Sequence, residues 1–261
     1  MSEMSQGCAW IEGSYVPIAE ARIPILDTGF VRSDLTYDVV AVWAGKFFRL
    51  DAHLDRLEQS CERLRLRSPK SRAETEEILA EVVARSGLRE SYVETVITRG
   101  VPAPGERDPR RFEQRFYAYA IPYVWIQRPE QQEVGAKVVV ARDTVRVSPG
   151  AIDPTVKNFM WGDFIRGLLE AYDRDAVLPI LSDGEGNVTE GPGVNVFAVR
   201  GGALHTPDRG VLEGITRQTV LDIAAELGVE ADVGSVPVSA LYDADEIFLT
   251  STAGGVMPVA E

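Results

Sequence analysis

The chain has 261 residues, with 27 Lys and Arg against 40 Asp and Glu, and the resulting net charge of −13 disfavours nucleic acid and anionic membrane as partners. Apolar residues make up 45 % and charged residues 26 %, the make-up of a globular protein of one large or two modest domains, and no apolar run approaches the roughly 18 residues of a membrane span. Cys8 and Cys61 are too few for a disulfide framework and fit a reducing cytoplasm, His53 and His205 are too few for a histidine-based metal site, and the polar Met1–Gln6 stretch lacks the features of a secretory signal.

In chain order, Trp10–Val16 and Ala21–Leu26 read as strands, the first with a turn at Glu12-Gly13. Leu35–Trp43 and Lys46–Leu50 form a hairpin around Ala44-Gly45. Asp51 then serves as N-cap of a helix on which Leu54, Leu57, Cys61 and Leu64 recur at helical spacing. Ser71 and Glu74 make a capping box for a second helix that runs through Arg85 and stops at Gly87. Two β-rich runs, Tyr92–Thr98 and Phe116–Val124, bracket a polar loop, and the Gln/Glu-rich stretch 127–133 reads as a linker.

The second half opens with a strand at Lys137–Ala141 and a helix over 162–172. Strands follow at Leu178–Leu181, Val194–Arg200 and Ala203–His205, then a helix at Thr216–Leu227 ended by Gly228, and a strand at Glu246–Thr250. Strands and helices without regular βαβ alternation predict an α+β fold: a small N-terminal domain, 1–126, and a larger β-rich C-terminal domain with helices, 134–261.

Four lysines occur, and only Lys157 sits among apolar neighbours, with Val156, Phe159 and Trp161 around it. Desolvation favours the neutral amine that Schiff-base chemistry requires; the alternative is a lysine snorkelling at a core edge. Downstream lie segments that suit a carbonyl cofactor. Glu190 stands ahead of Gly191-Pro192-Gly193, either a partner for a cationic ring nitrogen or a solvated surface residue. Gly214-Ile215-Thr216-Arg217 precedes a helix, where Thr216 either helps bind an anion or simply caps. Thr252 lies in a hydroxyl-rich turn, and Arg56 on the first helix is either a bidentate phosphate ligand or solvated.

Together these segments resemble the fold-type IV pyridoxal-phosphate enzymes, which include branched-chain aminotransferases, D-amino-acid transaminases and (R)-selective amine transaminases. The resemblance implies that Lys157 forms the Schiff base and shuttles the proton, and that Glu190 pairs with the pyridine nitrogen. It also implies that Arg56, Ile215, Thr216 and Thr252 hold the phosphate. It implies a homodimer with the site in the interdomain cleft, acting on small amines and 2-oxo acids.

Within the family, Ser33-Asp34-Leu35-Thr36-Tyr37, Pro122-Tyr123-Val124-Trp125-Ile126 and the stretch Lys157–Asp163 are most similar to (R)-amine transaminases, the reading taken here. That likeness implies a substrate pocket lined by Tyr37, Val39, Trp161 and Gly193, with Arg107 on a mobile loop meeting substrate carboxylates. D-amino-acid transaminases usually carry Arg-x-His in the loop that here reads Thr98–Asp108 without histidine, and branched-chain enzymes a tyrosine where Gly162 stands. A lyase resembling aminodeoxychorismate lyase and a non-catalytic pyridoxal-phosphate-binding protein are further alternatives. Family members usually continue beyond the equivalent of Met257-Pro258-Val259, so the second domain is expected to be short at its C-terminal end.

Overall fold

A computed structural model describes residues 6–261; the N-terminal stretch read against a secretory signal lies, apart from Gln6, outside them. The chain divides into two compact units, one of Met1–Val124 with Val156–Phe159, the other of Trp125–Thr155 with Met160–Glu261. Among the described residues no helix is long and apolar enough to cross a membrane.

The first unit contains, in order, β1 (Cys8–Ile11), β2 (Ser14–Pro17), α1 (Thr28–Arg32), β3 (Leu35–Trp43), β4 (Lys46–Phe47), α2 (Leu50–Leu64), α3 (Arg72–Ser86), β5 (Ser91–Val101) and β6 (Glu113–Pro122). Its antiparallel sheet has the order β2-β1-β6-β5-β3-β4. Period-two alternation sends Val40, Val42, Val93, Ile97, Phe116 and Ala118 to one face, where they pack on Leu54, Leu57 and Cys61 of α2 and Ile78, Leu79 and Val82 of α3. Leu35, Tyr37, Val39, Val96 and Tyr117 share the opposite face.

Several local expectations are corrected here. The turn read at Glu12-Gly13 is present (φ 49° and 85°), and it folds the Trp10–Val16 run into two paired strands, β1 and β2, instead of one. Ala21–Leu26 forms no strand: Pro24 has no N–H to donate to a ladder, and its carbonyl instead accepts from Asp27 N at 3.0 Å in a turn. Arg49, in a left-handed conformation, precedes α2 in place of Asp51, which sits in the first turn. The Ser71–Glu74 box and the Gly87 stop form as read.

The second unit contains α4 (Pro129–Gln132), β7 (Val138–Val140), α5 (Gly162–Asp173), β8 (Leu178–Ile180), β9 (Asn195–Arg200), β10 (Ala203–Pro207), α6 (Ile215–Leu227), β11 (Ala231–Gly234), α7 (Val238–Tyr242), β12 (Glu246–Ser251) and β13 (Gly255–Pro258). Its main sheet has the order β11-β10-β9-β12-β13, and β7 and β8 pair separately in parallel. Ile180, Val188, Val194, Val196, Leu249 and Met257 form its core. The 127–133 stretch holds the short helix α4, and Gln132 Nε2 donates to Gly254 O at 2.9 Å. Val156–Phe159, expected with the C-terminal half, counts with the first unit.

Candidate active site

In the first unit Lys157 is pinned to β3 by its own carbonyl, which accepts from Thr36 Oγ1 at 2.8 Å and Tyr37 N at 3.1 Å. Its side chain is half-buried, and Nζ lies 4.4 Å from the centroid of the Tyr37 ring, a cation–π distance. Phe159 meets the same ring at 4.5 Å. The loop 156–159 and β3 thus place the lysine amine over an aromatic surface, with Val39 buried two residues further along the strand.

Behind β3 lies a cluster that sequence reasoning did not assemble. Arg56 donates from Nε to Asp38 Oδ2 at 2.8 Å and from Nη2 to Oδ1 at 2.9 Å, and His53 Nδ1 shares a hydrogen with Oδ1 at 2.7 Å. All three side chains are buried. Burial raises the Asp38 carboxyl, but Arg56 and His53 outweigh it and hold the group far below the usual carboxylate range. Burial dominates at His53 and pushes its imidazole below the ordinary value, and Nε2 is enclosed without a hydrogen-bond partner among the described residues. The guanidinium expected to meet phosphate is therefore fixed by a buried fork to Asp38.

Glu94 on β5, opposite Val39 and Tyr119, is 6 % exposed. Burial pushes its carboxyl up to about 7, against the lowering effects of Tyr119, Lys157 and Tyr92. The signal for Asp38 and Glu94 was present in the sequence: each is the one acidic residue in a long apolar strand.

In the second unit Glu190 is buried and anchored on both oxygens. Arg146 Nε donates to Oε1 at 3.1 Å and Leu212 N to Oε2 at 2.9 Å. Gly191, Pro192 and Gly193 turn the chain into β9, with Gly193 exposed at φ 72° and Trp161 beside it; a Cβ on Gly193 would lie 3.8 Å from the indole. Leu212 begins the approach to α6, and Asn195 Nδ2 ties it to β9 by donating to Leu212 O at 2.8 Å.

Gly214, not Thr216, is the N-cap of α6, and no side chain caps the helix, so its first amides, those of Ile215 and Thr216, are offered at the N-terminus. A Cβ at Gly214 would press on Asn195 Oδ1 and force that side chain to shift. Asn195 pairs in turn with Thr250 on β12, which brings the α6 N-terminus, the buried and unpartnered Thr250 Oγ1, and the turn containing half-buried Thr252 to one end of the sheet. Arg107 is exposed in the β5–β6 loop, where its amide donates to Glu106 Oε1 at 2.9 Å.

The first unit carries an amine over an aromatic ring, and the second carries a buried anchored carboxylate and an uncapped helix start beside a buried hydroxyl; by chemical type these match the carbonyl-reactive nitrogen, the acceptor for a protonated ring nitrogen and the anion site that pyridoxal phosphate calls for. The residues present fit that group.

The family model for amino-transferase class IV matches residues 35–261. The chain is 30 % identical over 255 residues to a putative branched-chain-amino-acid aminotransferase of Methanocaldococcus jannaschii, covering 97 % of this chain and 86 % of that one. It is 31 % identical over 245 residues to a D-alanine aminotransferase of Listeria monocytogenes, covering 92 % and 82 %. The structure of a branched-chain aminotransferase from the thermophilic archaeon Thermoproteus uzoniensis, with norvaline, superimposes with a TM-score of 0.88 at 30 % identity, covering 98 % and 86 %. A second branched-chain amino acid aminotransferase, complexed with N-(5'-phosphopyridoxyl)-L-glutamate, superimposes with a TM-score of 0.87 at 30 % identity, covering 98 % and 85 %. The chain belongs to the class IV aminotransferases: it is a pyridoxal-phosphate-dependent aminotransferase of α+β fold, acting on amines and 2-oxo acids.

Proposed function

We propose that this aminotransferase moves an amino group from an (R)-amine to pyruvate or a related 2-oxo acid, as a cytoplasmic homodimer. The observation that carries the choice of donor is the wall beside Lys157. Tyr37, Val39, Val96 and Tyr117 make it largely apolar, and Glu94 adds a buried carboxyl that burial pushes toward its neutral form, a surface that suits an uncharged substituent better than a second carboxylate.

Bound pyridoxal phosphate supplies the electron sink for the charge that develops at the substrate carbon. Lys157 would hold the cofactor through Nζ and would move the proton at the substrate carbon. Glu190 keeps the proton on the ring nitrogen. Arg56, the amides of Ile215 and Thr216, and the Thr252 hydroxyl bind phosphate, and the buried fork from Asp38 holds the Arg56 guanidinium in one orientation. Tyr37, Val39, Trp161 and Gly193 line the substrate pocket, and Arg107 receives the carboxylate of the 2-oxo acid. Exposed Ile25, Leu26 and Phe30 support a subunit contact, and two buried free cysteines suit a reducing compartment.

The similarity to a D-alanine aminotransferase supports D-amino acids as a second reading. Half-reactions of the purified holoenzyme with (R)-1-phenylethylamine, D-alanine and L-leucine decide between them. The proposal expects the (R)-amine to react with the highest kcat/KM; preference for either amino acid overturns it.

A further inference from the structure

Glu190 does not have the Arg146 guanidinium to itself. Arg146 bridges the buried carboxylate of Glu190 and the part-buried one of Asp163, with Nε on Glu190 at 3.1 Å and Nη1 on Asp163 Oδ2 at 2.6 Å, and the three side chains are 6, 6 and 12 % exposed in the order Arg146, Glu190, Asp163. Asp163 is fixed independently of Arg146: Val147 N donates to Oδ2 at 2.9 Å and Phe164 N to Oδ1 at 2.8 Å, within the first turn of α5. Burial raises the Asp163 carboxyl, but the Val147 amide and the guanidinium outweigh it and keep the group below the ordinary carboxylate range. Arg146 is held as well. Its amide donates to Ser182 O at 2.8 Å, and its guanidinium stacks 4.1 Å from the Phe164 ring, so the fork cannot turn wholly onto Glu190.

The charges decide what this arrangement does. A guanidinium paired with Glu190 alone would close a neutral pair and leave little attraction for a cationic ring nitrogen. Two carboxylates sharing one guanidinium leave a net negative charge, which one further cation completes. We infer that Asp163 is a positioning residue: it takes up the charge of Arg146 so that Glu190 can keep a proton on the cofactor's ring nitrogen. The inference rests on the role of Glu190 proposed above and adds to it a residue remote from the reacting atoms.

The test is 15N NMR of the holoenzyme carrying pyridoxal phosphate labelled at the ring nitrogen, titrated between about pH 6 and 10, with donor half-reactions measured alongside. Asp163→Asn should lower the pH at which the ring nitrogen loses its proton by about one to two units, the effect of a nearby charge, and slow the half-reaction about tenfold or more. Arg146→Gln removes the opposite charge and should leave that pH unchanged or raise it. A merely structural cluster would disturb both variants in the same direction. An unmoved nitrogen in Asp163→Asn, or a lowered titration in Arg146→Gln, overturns the inference. If Asp163→Asn does not fold, the sign of the Arg146→Gln effect still decides. Glu190→Gln separates the two levels: if it leaves the nitrogen protonated, the role of Glu190 itself fails, whereas a response there without one in Asp163→Asn rejects only the part given to Asp163.

Discussion

Glu94 is neutral in the folded protein over a range in which an unfolded chain would ionise it, and this has a sign that can be checked. Its carboxyl is raised from an ordinary 4.5 to about 7 chiefly by burial, so the folded state binds more protons than the unfolded state between those values. Stability from this group is therefore full below about pH 4.5 and lost as pH rises toward 7, by on the order of 3 kcal/mol. Thermal unfolding of Glu94→Gln against the parent from pH 5 to 8 should show the difference growing in favour of the variant as pH rises; a difference independent of pH would mean that the carboxyl is already ionised at pH 5. Arg107 makes the opposite kind of prediction, for binding. Its exposed side chain can return to water when the substrate lacks a charge. Arg107→Ala should raise KM for pyruvate ten- to a hundredfold, the loss of a charge-assisted contact worth about 1.5–3 kcal/mol, and leave that for (R)-1-phenylethylamine nearly unchanged. Equal effects on both substrates would make the loop structural.

At the scale of elements, the most legible features were those whose cause is local. The capping box that opens α3 is reciprocal, with Glu74 N donating to Ser71 Oγ at 3.3 Å and Ser71 N to Glu74 Oε2 at 2.9 Å, and it was readable from two residues three apart. Ser71→Ala should cost about 0.5–2 kcal/mol and lower Tm by a few degrees, leaving kcat/KM intact because α3 packs on the helical face of the sheet. A matching loss of activity would show that α3 is coupled to the site. The start of α6 was less legible. A threonine ahead of an amphipathic run looks like a cap, yet the helix starts one residue earlier, at Ile215, with Gly214 as its cap and no side chain bonding the first turn. Ala21–Leu26 misled for the converse reason: its branched apolar residues favour a strand, but Pro24 interrupts the ladder and Ile25 and Leu26 are exposed.

At the scale of the whole molecule, the sequence showed the residues that family resemblance marks and hid those defined only by long-range pairing. Lys157, Glu190 and Arg56 could be picked out as residue types in a recognisable order. Asp38 and Arg56 are 18 residues apart, and Arg146 and Glu190 are 44 apart; no periodicity connects them, so the charges that orient the expected ligands emerged only from the fold. The family is established by the match over residues 35–261 and the relatives at about 30 % identity, and the choice of donor rests on the wall beside Lys157. Everything proposed for the site depends on which lysine holds the cofactor. Borohydride reduction of the holoenzyme, followed by proteolysis and mass spectrometry of the pyridoxyl-labelled peptide, reads this directly. The label is expected on Lys157, in the peptide containing Val156 and Asn158. A label on Lys46, Lys70 or Lys137 would contradict it.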